Sequence, residues 1–496
     1  MRTQVVVVGG GPVGLLLAAE LAGYGVDTVL LEERTAVSDQ PRATTLHARA
    51  VQCLVRRGHL PPSSGGGTRD FHFAGLPGLP LTAPASEPPP LLKRPQAELE
   101  RHFESRAAAA GVRLLRGHRV VGLVREATGT AERVRIRAEG PQGELTLLAD
   151  YAVGADGARG TVRGHAGIGA DSEGPTVSAL AGVATPDDPE ALPDGWHRTP
   201  RGWLAVKSAQ DGERHIRTLD CTGPHPGHRL PVTLEELAGE ASRIAGREIA
   251  LTRGRWLSRF SDYTRLARSF RAGRVLLVGD AAHLHFPVGG QGLSTGVLDA
   301  LNLGWKLALV VRGEAGDGLL DTYDRERRPA ARRVVDNTRA QLGLMRPGHE
   351  VDRLRELFRG VVADGHGQRY LAGLISAQDT VHPAASGRGA PPAGTFLPNR
   401  ALTTGRAGEG RGDVVGLLRE GAPVLLLFGE KGEAHREAAR AWDPLVRVAR
   451  APETGDAPAE ALLLRPDGYI AWAPGDVELG EALSAWFGPR AGAPRP

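Results

Sequence analysis

Residues 3–32 read TQVVVVGGGPVGLLLAAELAGYGVDTVLLE, and this stretch decides the fold. The run Gln4–Val8 is β-branched, Pro12 to Tyr24 carries apolar residues at helical spacing, and Asp27–Leu31 is a second apolar strand. Strand, helix and strand in that order form a βαβ unit, which implies a parallel sheet covered by helices.

The turn inside that unit carries chemistry. Gly9-x-Gly11-x-x-Gly14 follows the strand and opens the helix. The first glycine makes the tight turn, the second admits a pyrophosphate to the backbone amides, and the third lets helix and strand pack closely. Pro12 and Val13 begin the helix, whose free N–H groups face the phosphate charge. Glu32 ends the second strand, where a carboxylate binds ribose hydroxyls, with Glu33 and Arg34 after it. A carboxylate there suits a 2′-hydroxyl, so FAD or NAD fits the cleft and NADP does not.

Two further clusters lie downstream. Gly154-Ala-Asp156-Gly157-Ala-Arg159 closes the strand Tyr151–Val153, and reads either as a ligand loop or as an ordinary Asp-Gly turn. Arg274-Val-Leu-Leu-Val-Gly279-Asp280 is a strand running into an acid, followed by Pro287 and Gly289-Gly290-Gln291-Gly292 before a long helix over 292–312. That loop bears no side chain beyond Gln291, so its backbone can lie flat against a ring system while the helix aims its positive end at it. An isoalloxazine pyrimidine edge needs such donors, and Asp280 can accept from ribityl hydroxyls. His283 and His285 imitate a metal pair, but no further ligand follows at zinc spacing, so no metal is expected. The glycines also permit two positions of a bound ring.

The rest of the chain sets bounds. Its 496 residues, 41% apolar and 24% charged, suffice for several domains with real cores. Cys53 and Cys221 exclude a disulfide framework and point to a reducing compartment. Lysine stands only at 93, 207, 306 and 431, the remainder of the 61 basic residues being arginine. Arginines alternate with acids, the net charge is only +4, and a solvated surface is expected rather than a nucleic-acid face. The apolar run Val5–Ala19 is broken by glycines and resembles neither a signal peptide nor a membrane span, so a cytoplasmic protein is expected.

Texture divides the chain into 1–169, a sheet-rich insertion over 170–269, a return of the nucleotide-binding texture over 270–385, a linker over 386–399, and a tail over 400–496. Residues 61–69 read as a flexible loop, Pro84–Pro90 as a connector, Gln96–Ala110 as a helix, about 319–345 as another, and His382–Asn399 as Pro/Gly/Ala-rich linker. Tail strands are expected at Val424–Phe428, Ala461–Leu464 and Tyr469–Trp472, turning at Pro466-Asp467-Gly468.

Together the three clusters resemble the class A flavoprotein monooxygenases, the p-hydroxybenzoate hydroxylase superfamily, in the branch that hydroxylates aromatic polyketides and antibiotics. Gly9, Gly11 and Gly14 match the first motif, Asp156-Gly157 the second, and Gly279-Asp280 with Pro287 and Gly289–Gly292 the third. Asp299-Ala-Leu-Asn302-Leu-Gly-Trp305-Lys306-Leu and Tyr323-Asp-Arg-Glu-Arg-Arg-Pro329 are similar to the elements that follow. Leu464-Arg-Pro-Asp-Gly-Tyr-Ile-Ala-Trp472 is similar to the tail of this branch.

The resemblance implies an α/β fold: a Rossmann-like FAD-binding domain of the GR2 type, an inserted substrate sheet, and a C-terminal thioredoxin-like domain. It implies that Gln96 contacts the FAD chain, that Leu293 and Ser294 complete the flavin loop, and that Arg42, in Pro41-Arg42-Ala43, joins Pro287 and Gly289 beside the reacting ring. FAD is the implied cofactor, NADPH or NADH the reductant, and O2 with a small aromatic molecule the substrates, in a monomer or homodimer. The implied reaction is hydroxylation through a flavin C4a-hydroperoxide, or oxygen insertion beside a ketone on the same scaffold. A non-catalytic flavin-binding protein is the remaining alternative. A flavin halogenase is excluded, because no Trp-x-Trp-x-Ile-Pro segment is present. Two positions depart from the pattern: Ser294 stands where asparagine is usual, and Gly160 replaces the serine of DGxxS. Substrate is expected between the inserted sheet and the flavin, where Trp203, Phe286 and His215 are either liners or plain packing.

Overall fold

The computed structural model describes residues 1–128, 131–225, 227, 230–384, 391–403, 411–451, 457–475 and 477–490. Its centre is an eight-stranded sheet. Strands 113–116, 28–32, 2–8, 143–154 and 275–277 lie side by side in that order, all parallel. Val5 to Val8 are buried, as a strand covered on both faces requires. The helix Pro12–Gly23 starts with Pro at its first turn and packs against the helices Gln96–Ala109 and Gly292–Val311. A meander of strands 119–128 and 131–140 extends the sheet through 143–154.

The insertion is a five-stranded antiparallel sheet in the order 195–199, 202–208, 214–220, 178–186, 251–261. Even-numbered residues Leu204, Val206 and Ile216 bury against Leu237, Ala241 and Ile244 of a helix over Leu234–Ala245. That helix lies within a segment read as sheet. Its signals are local: Thr233 caps the amide of Glu236, and Gly246 closes the helix in the left-handed region.

The structure corrects one loop reading and details two others. Only 61–66 is irregular; a strand begins at Gly67, and 67–73 pairs with 76–83 as a hairpin. Its Phe73, Leu79 and Leu81 pack with Val177, Ala179, Trp203 and Leu219, so the insertion's core draws on residues well before 170. The connector 84–90 is pinned by Glu87, which is buried on Arg56 at 2.7 Å. Of the expected linker, 386–390 lies outside the described residues. The described remainder is packed: His382 lies 4.2 Å from the Tyr469 ring, and Phe396 bridges to Tyr469. Its prolines and glycines seat these aromatic partners.

The tail has a four-stranded sheet, 447–451, 424–428, 461–464 and 470–472, with the first pair parallel and the others antiparallel. Its helix Leu479–Phe487 packs Leu483, Trp486 and Phe487 onto Trp305, Leu309 and Leu319, so one apolar core joins tail and nucleotide-binding region.

Candidate active site

Three sequence clusters converge at the carboxyl edge of the parallel strands, where open α/β sheets hold their ligands. Ala155 N donates to Val8 O at 2.7 Å, Gly9 N to Leu31 O at 2.8 Å, and Val278 N to Gly154 O at 2.9 Å, locking the strand ends level. Gly9 adopts φ +110°, and a Cβ there would stand 2.3 Å from Ala155 O. A Cβ on Gly14 would meet Gly9 O at 2.0 Å, whereas one on Gly11 would meet nothing within 4 Å. Two of the glycines are therefore packing requirements, and Gly11 faces open space. No side chain caps the helix Pro12–Gly23, leaving its first amides available. Glu32 accepts from Gly10 N at 2.5 Å and Arg34 N at 3.0 Å, bracing the loop as well as edging the cleft.

Asp156 offers an unsatisfied group. Its Oδ2 accepts from Val162 N at 2.9 Å, while its buried Oδ1 has no partner. Burial pushes its carboxyl up, against amide donors and Arg265. The departure at Gly160 follows from this geometry, since a Cβ there would lie 2.2 Å from the Asp156 carboxyl. Gly157 lies beside it with φ +76°. Arg265, absent from the sequence reading, spans the second and third clusters by donating to Ala158 O at 2.8 Å and Asp280 O at 3.4 Å. Asp280 opens to the cleft, yet its walls remove enough water to push its carboxyl up, against His283, Arg265 and Arg42.

Beneath this loop is a buried relay. Asp299 accepts from Gly279 N at 3.1 Å and Arg327 Nε at 2.8 Å, and lies 2.7 Å from His283 Nε2. Burial would raise Asp299, but His283 and Arg327 outweigh it and lower it. His283 is thus committed to a carboxylate of the following helix.

Side chains anchor the glycine loop from behind. Gln291 turns away from the cleft, donating to Leu374 O at 3.1 Å and accepting from Asn337 at 2.6 Å. His47 Nε2 binds Gly289 O at 2.8 Å, and Ser294 Oγ accepts from His47 N at 2.9 Å. Ser294 is therefore buried against the chain at His47. Gly289 takes φ +76°, and a Cβ would press within 3.3 Å of Gln341 and Ile375. Gly290 faces Thr45, Gly292 faces His285, Leu293 is half-buried, and Pro287 is exposed at the mouth. Burial drives His47 down to about 4, so it is neutral, and its Nδ1 lacks a partner. The sequence reading missed His47, although it lies five residues after Arg42.

The rim gathers charge. Arg42 is exposed, and its field reaches both Asp280 and the buried Glu100. Gln96 donates to Glu100 Oε1 at 2.7 Å, while Glu33 and Arg34 are exposed nearby. Of the three suggested liners, Trp203 is buried packing, with Nε1 2.6 Å from Met345 O and Arg355 5.0 Å over its ring. Phe286 is buried with its ring 5.9 Å from Phe260. His215 is half-buried on the open face of the inserted sheet.

These features fit FAD: an open glycine turn, an uncapped helix, an orphaned carboxylate oxygen and a ring-facing loop stripped of side chains. Residues 2–338 match the family described as FAD binding domain, and residues 390–490 match the aromatic-ring hydroxylase C-terminal family. A Streptomyces rimosus protein named 12-dehydrotetracycline 5-monooxygenase/anhydrotetracycline 6-monooxygenase is 37% identical, over 99% of this chain and 100% of the relative. The structure of anhydrotetracycline hydroxylase from Streptomyces rimosus superposes with TM-score 0.86 at 35% identity, over 99% of this chain and 100% of that one. A Streptomyces rugosporus protein named dialkyldecalin synthase is 36% identical, over 99% of this chain and 100% of its own.

Proposed function

The chain belongs to the FAD-binding aromatic-ring hydroxylases and is a flavin-dependent monooxygenase, and from that premise we propose that it inserts one oxygen atom of O2 into a polycyclic aromatic or phenolic, polyketide-type substrate. NADPH, or NADH, is the proposed reductant. Bound FAD supplies electron transfer from the nicotinamide and the activation of oxygen.

The chain's own residues bind, orient and exclude water. The amides at Val13 and Gly14 would hold the pyrophosphate, Glu32 the ribose, and Asp156 and Asp280 would accept from the hydroxyls of the cofactor chain. The backbone of Gly289, Gly290 and Gly292, at the uncapped start of the helix Gly292–Val311, would receive the ring's pyrimidine edge. Arg42 and Pro287, both exposed, would meet the nicotinamide at the mouth. The domain division at 169, 269, 385 and 399, a thioredoxin-like tail, a monomeric or homodimeric state and a cytoplasmic location belong to the same reading. No helix among the described residues is long and apolar enough to cross a membrane.

The observation that carries the substrate class is the wall between the glycine loop and the inserted sheet. There Phe71, Phe260, Phe286 and Val288 gather in one apolar cluster. Aerobic turnover of polycyclic phenols under labelled oxygen, read by mass spectrometry, tests it. One labelled atom on a ring carbon is the expected product. A labelled lactone would favour insertion beside a ketone, and a converted product without label would place the chain's chemistry with the relative named as a synthase.

A further inference from the structure

The joint between the tail and the helices of the nucleotide-binding region encloses a small cavity. Asn302 of the helix Gly292–Val311, Arg327 of the helix Asp321–Met345, His382, Asp467 and Tyr469 line it. Each is at most 4% exposed. Asp467 and Tyr469 come from the turn between the tail strands 461–464 and 470–472, so the cavity lies where stretches distant in sequence meet. Its space open to a water molecule is about 10 Å³, the room of one such molecule.

Several polar atoms around this space are free to receive something. The Tyr469 hydroxyl and the His382 imidazole lie side by side, with ring centres 4.2 Å apart, yet neither makes a hydrogen bond with any described residue. Arg327 commits Nε to Asp299 at 2.8 Å and one terminal nitrogen to Thr295 O at 3.3 Å. Its other terminal nitrogen has no partner among the described residues. None of these atoms is walled in by its neighbours as His47 Nδ1 is, so each opens on the cavity.

The occupant that suits them is neutral and small. The nearby charges already meet one another: Arg327 meets Asp299, Lys306 meets Glu326, and Arg465 meets both Glu326 and Asp467. Burial drives His382 well below its ordinary value, so its ring is neutral and offers one donor and one acceptor. Burial also raises the Tyr469 phenol, which therefore keeps its proton. A buried hydroxyl or imidazole without a partner is destabilising, and water is the smallest group that satisfies several at once.

We propose that this cavity is a binding site for one structural water molecule, which accepts from Arg327 and the Tyr469 hydroxyl, donates to His382, and so bridges the tail to the helix Asp321–Met345. Three partners from three parts of the chain are what a permanently held water requires. The same Arg327 holds Asp299, which accepts from Gly279 N at 3.1 Å. The bridge therefore joins the tail and the Gly279 turn in one polar network.

Crystals of the FAD-loaded full chain, diffracting well enough to show ordered water, test the site. We expect one peak in the cavity, within hydrogen-bond distance of the Tyr469 hydroxyl and of both Arg327 and His382. No peak, or a cavity closed by a direct bond between these side chains, overturns the proposal. Tyr469→Phe keeps the ring and removes one partner of the water. It should weaken or abolish the peak and lower the folding equilibrium constant of the loaded protein about tenfold, as the loss of one buried hydrogen bond does. Denaturant unfolding measures the second effect. A Tyr469→Phe variant with the peak undiminished, or with native stability, overturns the bridge. Every outcome concerns the joint alone and leaves the monooxygenase reading intact.

Discussion

The helix Gly292–Val311 separates two polar regions built on opposite rules. Toward the tail, the buried charges around Glu326 are paired with one another. Glu326 accepts from Arg465 at 2.9 and 2.8 Å, from Lys306 at 2.9 Å and from Asn302 at 2.7 Å. Asp467 accepts from the same Arg465 at 3.0 and 2.5 Å, and from Trp305 at 3.4 Å. Toward the cleft, Asp156 Oδ1, His47 Nδ1 and Arg265 Nε are buried without a partner among the described residues. Folding completes the first region by itself, whereas the second is left for ligands to complete. Substitutions in the first should therefore cost stability, and those in the second should cost binding.

The largest effect is expected at Glu326. Burial alone would raise its carboxyl, but Arg465 and Lys306 outweigh this and hold it well below the usual range. Glu326→Gln keeps the shape but leaves buried Lys306 without its carboxylate and Arg465 with Asp467 alone, at about 3–5 kcal/mol. Denaturant unfolding of the loaded protein measures it. A carboxyl depressed in the folded state stabilises above its ordinary value of 4.5, and that contribution is lost as pH falls through the folded value. The gap between native and variant should thus be full at pH 7 and shrink in acid. A loss below about 1 kcal/mol would mean that the joint does not depend on its charges.

Asp280→Ala probes the other rule. It should weaken FAD by roughly 10–100-fold, the size of one or two charge-assisted hydrogen bonds, while the stripped protein melts as before. Unchanged FAD affinity would break the comparison, as would a large loss of stability in the flavin-free protein.

The two regions also differed in how far they could be read. The nucleotide turn was legible because its requirements are local: Gly9, Gly11 and Gly14 are set by chain geometry within six residues, and Glu32 follows at a fixed distance. The joint was not. Glu326 and Arg465 lie 139 residues apart, and each stood in a stretch recognised for its similarity without any hint that the two meet. The hairpin at 67–83 hid behind the glycines and serines that precede it. His47 was missed because its task, holding Gly289 O, shows only when two distant loops are brought together. The inward turn of Gln291 to Asn337 and Leu374 was equally hidden, because both partners lie far along the chain.

Gly160→Ser restores the serine usual in the second motif and sharpens the comparison within the cleft. Its Cβ would overlap the Asp156 carboxyl, so either Asp156 turns or the chain shifts, at about 1–3 kcal/mol for such crowding. FAD affinity should fall with it, since the displaced group carries the orphan oxygen. Thermal melts with and without added FAD separate the two losses, and a variant unchanged in both would show that Asp156 has room this geometry does not give it.

The smallest structural effect belongs to Arg42. It is exposed and makes no ion pair or hydrogen bond with any described residue, so its removal leaves nothing buried and unpaired. Arg42→Ala should therefore change stability by less than about 0.5 kcal/mol, as ordinary surface positions do. Its field nevertheless falls on Asp280 inside the cleft and on Glu100 beneath the rim, which sets it apart from the arginines paired along the outer strands. An arginine at the mouth can hold the incoming nicotinamide nucleotide by its phosphates, and the loss of one such contact, about 1.4 kcal/mol in the transition state, slows flavin reduction about tenfold. Anaerobic stopped-flow with NADPH measures that rate. Reduction at the native rate would make Arg42 a solvated rim residue and would confine the unpaired, ligand-facing chemistry to the cleft interior.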